Sequence, residues 1–313
     1  MEKNQKKNTK TVRFTNTIVW PPNYLIKINC PICRSREYVA IYPAYYPRVV
    51  RCKSCKLIYT NPRLKEKYLE QLYNQEYFQN ENSSYFGYSN YLSDKTRIKQ
   101  TFSKRLKDIH KLKKPGRLLD VGCAMGFFLD AASNLGWNIE GVEISDFAAK
   151  YAREELGYNV YVGDFQKVKI PIHCFDLVTM WDIIEHVPDP VGTLKKAHSL
   201  LKKDGLLVLT TPDVGSLPAM ITRHRWVGYK LSDEHLMYFS KDTLSKLCEK
   251  AGLKIIRTHQ VGKHVSFSKL VDRVGLYSNH VKNILEKLNK IIPADYSFYV
   301  SAFDIICVYA VKK

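Results

Sequence analysis

Residues 117–126 read Arg-Leu-Leu-Asp-Val-Gly-Cys-Ala-Met-Gly, a short apolar run that ends in an acid and then turns through glycines into a helix opening near Phe127. No other segment restricts the fold as much. Gly122 and Gly126 remove side chains that would hold the backbone off a ligand, and the first turn of a helix offers N–H groups with no intrahelical partner. Asp120 is carried by the strand to the mouth of that turn. The segment predicts a cofactor loop in an open α/β sheet, where ligands lie beyond the carboxyl ends of the strands. A dinucleotide fingerprint would place glycine at 122, 124 and 127, whereas the chain has Gly122, Ala124 and Phe127. That spacing disfavours a nicotinamide enzyme.

Asp-x-Gly-x-Ala-x-Gly resembles motif I of the class I S-adenosylmethionine-dependent methyltransferases, with Ala124 at the usual middle glycine. The following segments keep step with it. A second strand, Asn138–Glu143, places Glu143 at the roughly 20-residue spacing where a carboxylate reaches ribose hydroxyls. A third, Val160–Val162, runs into Gly163-Asp164-Phe165; a fourth, Phe175–Trp181, delivers Asp182; a fifth, Gly205–Thr211, ends at Pro212. The resemblance implies an α/β fold, a Rossmann-like seven-stranded sheet with helices on both faces, over residues 94–313. It implies S-adenosylmethionine as cofactor, held by Asp120, Gly122, Cys123, Gly126, Glu143, Ile144, Asp164, Phe165, Trp181 and Asp182. Within that set Asp164 bonds the adenine amino group and Phe165 flanks the ring. Ahead of the first strand, Ile98, Phe102, Leu106, Ile109 and Leu112 fall at helical spacing.

Two C-x2-C pairs, Cys30/Cys33 and Cys52/Cys55, have the separation of a structural zinc site. Four thiolates close a tetrahedron and leave no position for substrate, so the zinc predicted here is structural. It belongs to a ribbon over residues 16–66 whose segment Tyr38–Arg51 reads as a β-hairpin. Metal binding supplies the folding free energy that so small a unit lacks. The stretch 67–93 is rich in Tyr, Asn and Gln, and reads either as a linker or as a lid in which Tyr77, Phe78, Tyr85 or Tyr88 closes over the cofactor.

The loop after the fourth strand, Trp181-Asp-Ile-Ile-Glu-His-Val-Pro-Asp-Pro190, supplies the catalytic candidates Glu185 and His186. Imidazole titrates near neutrality, which makes His186 the first candidate base and His235 the second. Asp182-x-x-Glu185-His186 also resembles the pattern with which ubiquinone-pathway O-methyltransferases hold a divalent ion, with Asp here in place of Glu. Residues 213–239 and 264–293 read as substrate-side insertions. Arg223-His-Arg-Trp226 in the first has the chemistry to grip a phosphate. In the second, Val281, Ile284, Leu285, Leu288, Ile291 and Ile292 form one helical stripe, predicting core packing or a dimer contact, with peripheral attachment to an anionic membrane as the alternative.

A hydrophobic fraction of 45% supports a sizeable core, no apolar run approaches a membrane span, and the amino terminus lacks a secretory pattern. Residues 1–15 read as a disordered basic tail, and unpaired cysteines beyond the clustered four suit a reducing, cytoplasmic setting. Together the ribbon, the Asn61-Pro62 exit, the Asp-x-x-Glu-His-Val loop and Pro-Asp after strand five resemble bacterial methyltransferases of glycan and polysaccharide assembly. That implies O-methylation of a sugar hydroxyl on a small-molecule or glycan acceptor. A formal charge of +19 favours an anionic acceptor. It also keeps an RNA methyltransferase as the alternative, and a non-catalytic binder retaining the fold as a third reading.

Overall fold

Strands that are apolar on both faces need cover on both sides, and alternation along them shows how it is provided. In Leu118–Val121 and Leu177–Met180, Leu119, Val121, Val178 and Met180 enter one buried cluster, while Leu118 and Leu177 enter another on the opposite face. The computed structural model describes residues 20–42, 49–73, 75–78, 91–230, 234–275, 278–293 and 296–313. The expected tail over 1–15, and Tyr85 and Tyr88 of the expected lid, lie outside the described residues.

Near the amino terminus, β1 (Tyr38–Tyr42), β2 (Val49–Cys52) and β3 (Ile58–Thr60) form an antiparallel ribbon. Helix α1 (Lys95–His110) leads to β4 (Arg117–Val121), α2 (Phe127–Ser133), β5 (Asn138–Glu143), α3 (Asp146–Glu154), β6 (Asn159–Val162), β7 (Phe175–Trp181), α4 (Pro190–Leu200) and β8 (Leu201–Pro212). Then come α5 (Leu217–Thr222), β9 (Met237–Tyr238), α6 (Lys241–Lys250), β10 (Leu253–Gln260), β11 (Lys263–Ser266), α7 (Phe267–Gly275), α8 (Asn279–Asn289), β12 (Ser297–Val300) and β13 (Ile305–Lys312). The main sheet has seven strands in the order β10-β13-β8-β7-β4-β5-β6. Neighbours from β8 to β6 are parallel, and β13 runs antiparallel between β8 and β10. This is the predicted Rossmann-like architecture.

Two boundaries differ by more than one residue from the sequence reading. The fifth strand of the parallel set begins at Leu201 rather than Gly205, through an irregularity before Leu206. Its polar start, Lys202-Lys203-Asp204, masks the strand pattern, and Lys202 Nζ reaches Asp176 Oδ2 at 2.7 Å. Leu112 lies beyond the end of α1 and is exposed, because the helix stops at His110.

The ribbon sheet also takes a fourth strand from far along the chain: β9 pairs with β3, Met237 opposite Tyr59 and Tyr238 opposite Ile58. Thr60 fixes this junction, its N–H donating to the Leu236 carbonyl and its Oγ1 to the His235 carbonyl, both at 3.0 Å. Residues Leu57, Tyr59, Leu236 and Phe239 share a buried cluster with the sheet residues Leu119 and Leu209. The ribbon therefore packs against the sheet beside the loop that follows β7.

Candidate active site

A cavity of about 640 Å³ opens beyond the carboxyl ends of β4 to β8. At its base the β4–α2 turn is fixed by one carboxylate. Glu143 Oε2 accepts the Ala124 N–H and Oε1 the Ser145 N–H, each at 2.8 Å. Burial raises the Glu143 carboxyl above its usual range, opposed by those two N–H bonds. Each of its oxygens keeps a further lone pair for a ligand hydroxyl. Asp120 is more deeply placed and accepts Thr179 Oγ1 at 2.6 Å, with burial holding its carboxyl well above the ordinary value. It ties β4 to β7 beneath the loop and also lines the cavity.

Gly122 takes φ 74°, and a Cβ there would fall 2.2 Å from Ile183 Cδ1, so this position needs glycine both for conformation and for space. Ala124 holds φ 47°, a left-handed conformation that costs a non-glycine residue about 1–2 kcal/mol; its bond to Glu143 offsets the strain. Cys123 lies over Gly141, where an added Cβ would come within 2.5 Å of the sulfur. Cys123, Ile144, Asp164, Phe165, Trp181 and Asp182 all line the cavity. Gly126 does not. With φ 80° it starts α2 and packs toward α3, where a Cβ would meet that of Ala152 at 3.1 Å. Its place in the motif is explained by the turn and by helix packing.

The opposite wall carries a residue that the sequence reading missed. Arg105 of α1 is only 5% exposed, lines the cavity and stacks on Trp181, Cζ lying 4.8 Å from the ring centroid. Its Nε and Nη2, and the Trp181 Nε1, have no hydrogen-bond acceptor among the described residues. Such buried donors are costly unless an anion meets them. The signal was present: Arg105 falls on the inward stripe Ile98, Phe102, Leu106, Ile109 of an amphipathic helix.

Asp182, with φ 55°, accepts Thr210 Oγ1 at 2.7 Å and Lys263 Nζ at 2.6 Å. Burial pushes its carboxyl up, but Lys263 and Arg105 outweigh burial and hold it below the usual range. Both oxygens are thus engaged. The ligand set Asp182, Glu185 and His186 expected for a divalent ion is not assembled; Glu185, His186 and His235 converge instead, with ligand atoms within 4.8 Å of one another. The shorter acid at 182 is captured by Lys263, from an insertion whose contribution no local motif signals.

Those three groups lie together in the cavity. Glu185 is 1% exposed, and neither carboxyl oxygen has a hydrogen-bond partner among the described residues. Burial, with the Asp182 charge beside it, raises this carboxyl well above its ordinary range. His186 Nδ1 lies 3.0 Å from the Glu234 carbonyl, and His235 Nδ1 lies 3.2 Å from that of Gly228. A carbonyl only accepts, so Nδ1 carries the hydrogen in both rings and each Nε2 presents a lone pair. Burial lowers His186 to about 4 and His235 to about 3, leaving both neutral at pH 7. The rings stand 4.8 Å apart, and His186 Nε2 is 4.0 Å from Glu185 Oε1. Backbone bonds from Leu236 and Met237 to the Glu185 carbonyl, at 2.9 and 3.2 Å, lock the catalytic loop to the ribbon junction.

Aromatic cover comes from before α1. Tyr73 approaches His186 Nδ1 at 3.2 Å, Tyr77 donates to Glu234 Oε2 at 3.3 Å, and Phe78 packs on Tyr91. From the 213–239 insertion, Trp226, Gly228, Glu234 and His235 line the cavity, whereas Arg223 and Arg225 are exposed outside its lining. The phosphate grip expected of Arg223-His-Arg-Trp226 is therefore absent from this pocket, because the η-turn that carries the arginines projects outward and only Trp226 turns in.

Some distance along the ribbon, Cys30 and Cys55 sulfurs lie 3.4 Å apart, as do those of Cys33 and Cys52, and all four are within 4.8 Å of one another. Arg34 and Lys56, with φ 64° and 71°, close the two knuckles.

A family model described as a methyltransferase domain matches residues 93–258. The chain belongs to this family, and its fold is that of the class I S-adenosylmethionine-dependent methyltransferases. Over 106 residues it is 34% identical to a ubiquinone biosynthesis O-methyltransferase from Actinobacillus pleuropneumoniae, covering 30% of this chain and 45% of that protein. A protein of the same name from Neisseria meningitidis is 25% identical over 163 residues, 48% of this chain and 68% of that one. The first three relatives, all of this name, are matched over less than half of their length. Among solved structures, a SAM-dependent methyltransferase from Archaeoglobus fulgidus aligns with 21% identity and a TM-score of 0.49, over 71% of this chain and 99% of that one.

Proposed function

We propose that this protein transfers the methyl group of S-adenosylmethionine to a hydroxyl of a small-molecule acceptor, a sugar hydroxyl being the acceptor that its chemistry suits. The observation that carries this reading is the convergence of two neutral imidazoles, each with an Nε2 lone pair, on the buried carboxyl of Glu185 in the cavity that the β4–α2 loop also lines. The cofactor fits the residues present. Glu143 has acceptor capacity for ribose hydroxyls, Asp164 and Phe165 border the adenine side, and the orphan donors of Arg105 and Trp181 await a carboxylate. When bound, the cofactor supplies an electrophilic methyl group on a sulfonium.

The chain's own residues then align an acceptor hydroxyl and receive its proton. In-line displacement depends chiefly on alignment. His186 Nε2 is the base in this reading and accepts the single hydroxyl hydrogen, Glu185 as a protonated carboxyl donates to the hydroxyl oxygen, the Glu234 carbonyl fixes the His186 tautomer, and His235 is the second candidate base. Tyr73, Tyr77 and Phe78 shield the reacting groups from water. The name shared by the relatives supports O-methylation over transfer to nitrogen or carbon. Four converging sulfurs support a structural zinc ion in the ribbon, holding β2 and β3 and through them β9 and His235.

Incubation with methyl-labelled S-adenosylmethionine and separate sugar-nucleotide, lipid-linked glycan, phenolic and RNA acceptors tests the proposal. Label in an acceptor hydroxyl, lost in His186→Ala, supports it. Label in RNA alone, or none in any acceptor despite cofactor binding, refutes it in favour of the RNA methyltransferase or the non-catalytic binder.

A further inference from the structure

The same end of the sheet that bears the cavity also carries a concentration of exposed large apolar side chains. Pro212, which ends β8, pairs with Ile305 at the start of β13, and Gln260, which ends β10, pairs with Ile306. Helix α5 follows the first of these strand ends and α7–α8 the last, so both issue from the carboxyl-end face. On α5, Leu217 is 68% and Ile221 70% exposed; after α8, Ile291 is 79% exposed. Ile284 and Leu288 continue the α8 stripe, and Phe303 stands exposed just before β13. Segments adjoining each of them line the cavity: Trp226 after α5, Lys269 in α7 and Asp304 after Phe303.

Both helical clusters are edged by cations: Arg223 and Arg225 follow shortly after Ile221 and are exposed, and the exposed Lys287 and Lys290 flank Leu288 and Ile291. The Glu286 charge is met by Lys282 at 3.7 Å. Apolar ridges bordered by Lys and Arg are what an amphipathic segment presents to a bilayer interface. A second copy of the chain is the poorer partner, since a two-fold contact would set these cations against their own equivalents in a molecule of formal charge +19.

We propose that this face, formed by α5, α8 and Phe303, docks on an anionic membrane surface, with the cavity mouth toward the lipid. The proposal stands independently of which acceptor is methylated.

Co-sedimentation of the full chain with phosphatidylcholine vesicles, with and without phosphatidylglycerol, tests it. The expected result is binding to the anionic vesicles at least about tenfold tighter than to the neutral ones, weakening as salt rises. Ile284→Ser with Ile291→Ser should lower that binding about tenfold, as should Lys287→Glu with Lys290→Glu, while S-adenosylmethionine binding and the melting temperature stay unchanged. Equal affinity for both vesicles, no binding to either, or unaltered binding by both double variants overturns it. So does a concentration-dependent dimer in sedimentation velocity that the Ile variant abolishes, which would assign the face to a second copy.

Discussion

Replacing Arg105 by Met separates a ligand-binding charge from a structural one. In the protein this guanidinium is 5% exposed, leans on Trp181 and leaves Nε and Nη2 without an acceptor. Unpaired buried donors cost stability, which offsets the attraction of this guanidinium to Asp182 and its stacking on Trp181, and methionine retains most of the packing volume. The variant should therefore melt at the same temperature or a few degrees higher. A charged hydrogen bond contributes about 1.5–3 kcal/mol, so S-adenosylmethionine should bind about 10- to 150-fold more weakly at tenfold per 1.4 kcal/mol. Calorimetric titration and thermal unfolding of the same preparations give both numbers. Methylthioadenosine, which lacks the amino-acid carboxylate, provides the internal control, and its affinity should not change. A variant that loses stability yet binds S-adenosylmethionine normally would refute the assignment and make Arg105 a structural residue of α1.

Three further outcomes follow from the geometry. Glu143→Ala removes the acceptor of the Ala124 and Ser145 N–H groups, and should abolish measurable cofactor binding by calorimetry while zinc content by metal analysis stays unchanged. Cys52→Ser should lower zinc content from about one per chain and, because β3 holds His235 through Thr60, reduce turnover more than cofactor affinity. Burial sets His186 to about 4 in the folded protein, below the ~6.5 of an exposed imidazole. The unfolded chain thus binds more protons between those values, so the contribution of this residue to stability is present above pH ~6.5 and is lost as pH falls toward 4. Denaturant unfolding of wild type and His186→Gln across that range should show a smaller acid loss in the variant.

Where local pattern decides structure, the sequence was readable. The β4–α2 turn, the strands ending at Glu143 and Trp181, and the paired cysteines each depend on neighbours a few positions away. Asp182 illustrates the opposite case. Its partner Lys263 comes from β11, so its capture, and with it the loss of Asp182 as a metal ligand, depends on contact across the whole domain. The β3–β9 pairing is equally non-local: two residues, Met237 and Tyr238, are too short a run to signal a strand, yet they join the ribbon to the catalytic loop. Arg105 lay within reach of sequence reasoning, because a cation on an inward helical stripe needs a reason to be there. The orientation of the histidines did not, since the tautomers are fixed by the carbonyl of Glu234, in a turn, and that of Gly228, in the short helix Val227–Lys230.

A crystal structure with S-adenosylhomocysteine bound tests the central claim most directly. The account predicts the nucleoside ribose at Glu143, the amino-acid carboxylate at Arg105 and the sulfur facing the space between His186 and His235. Ligand density elsewhere, or in this cavity with the carboxylate turned away from Arg105 and the sulfur away from both histidines, would contradict it.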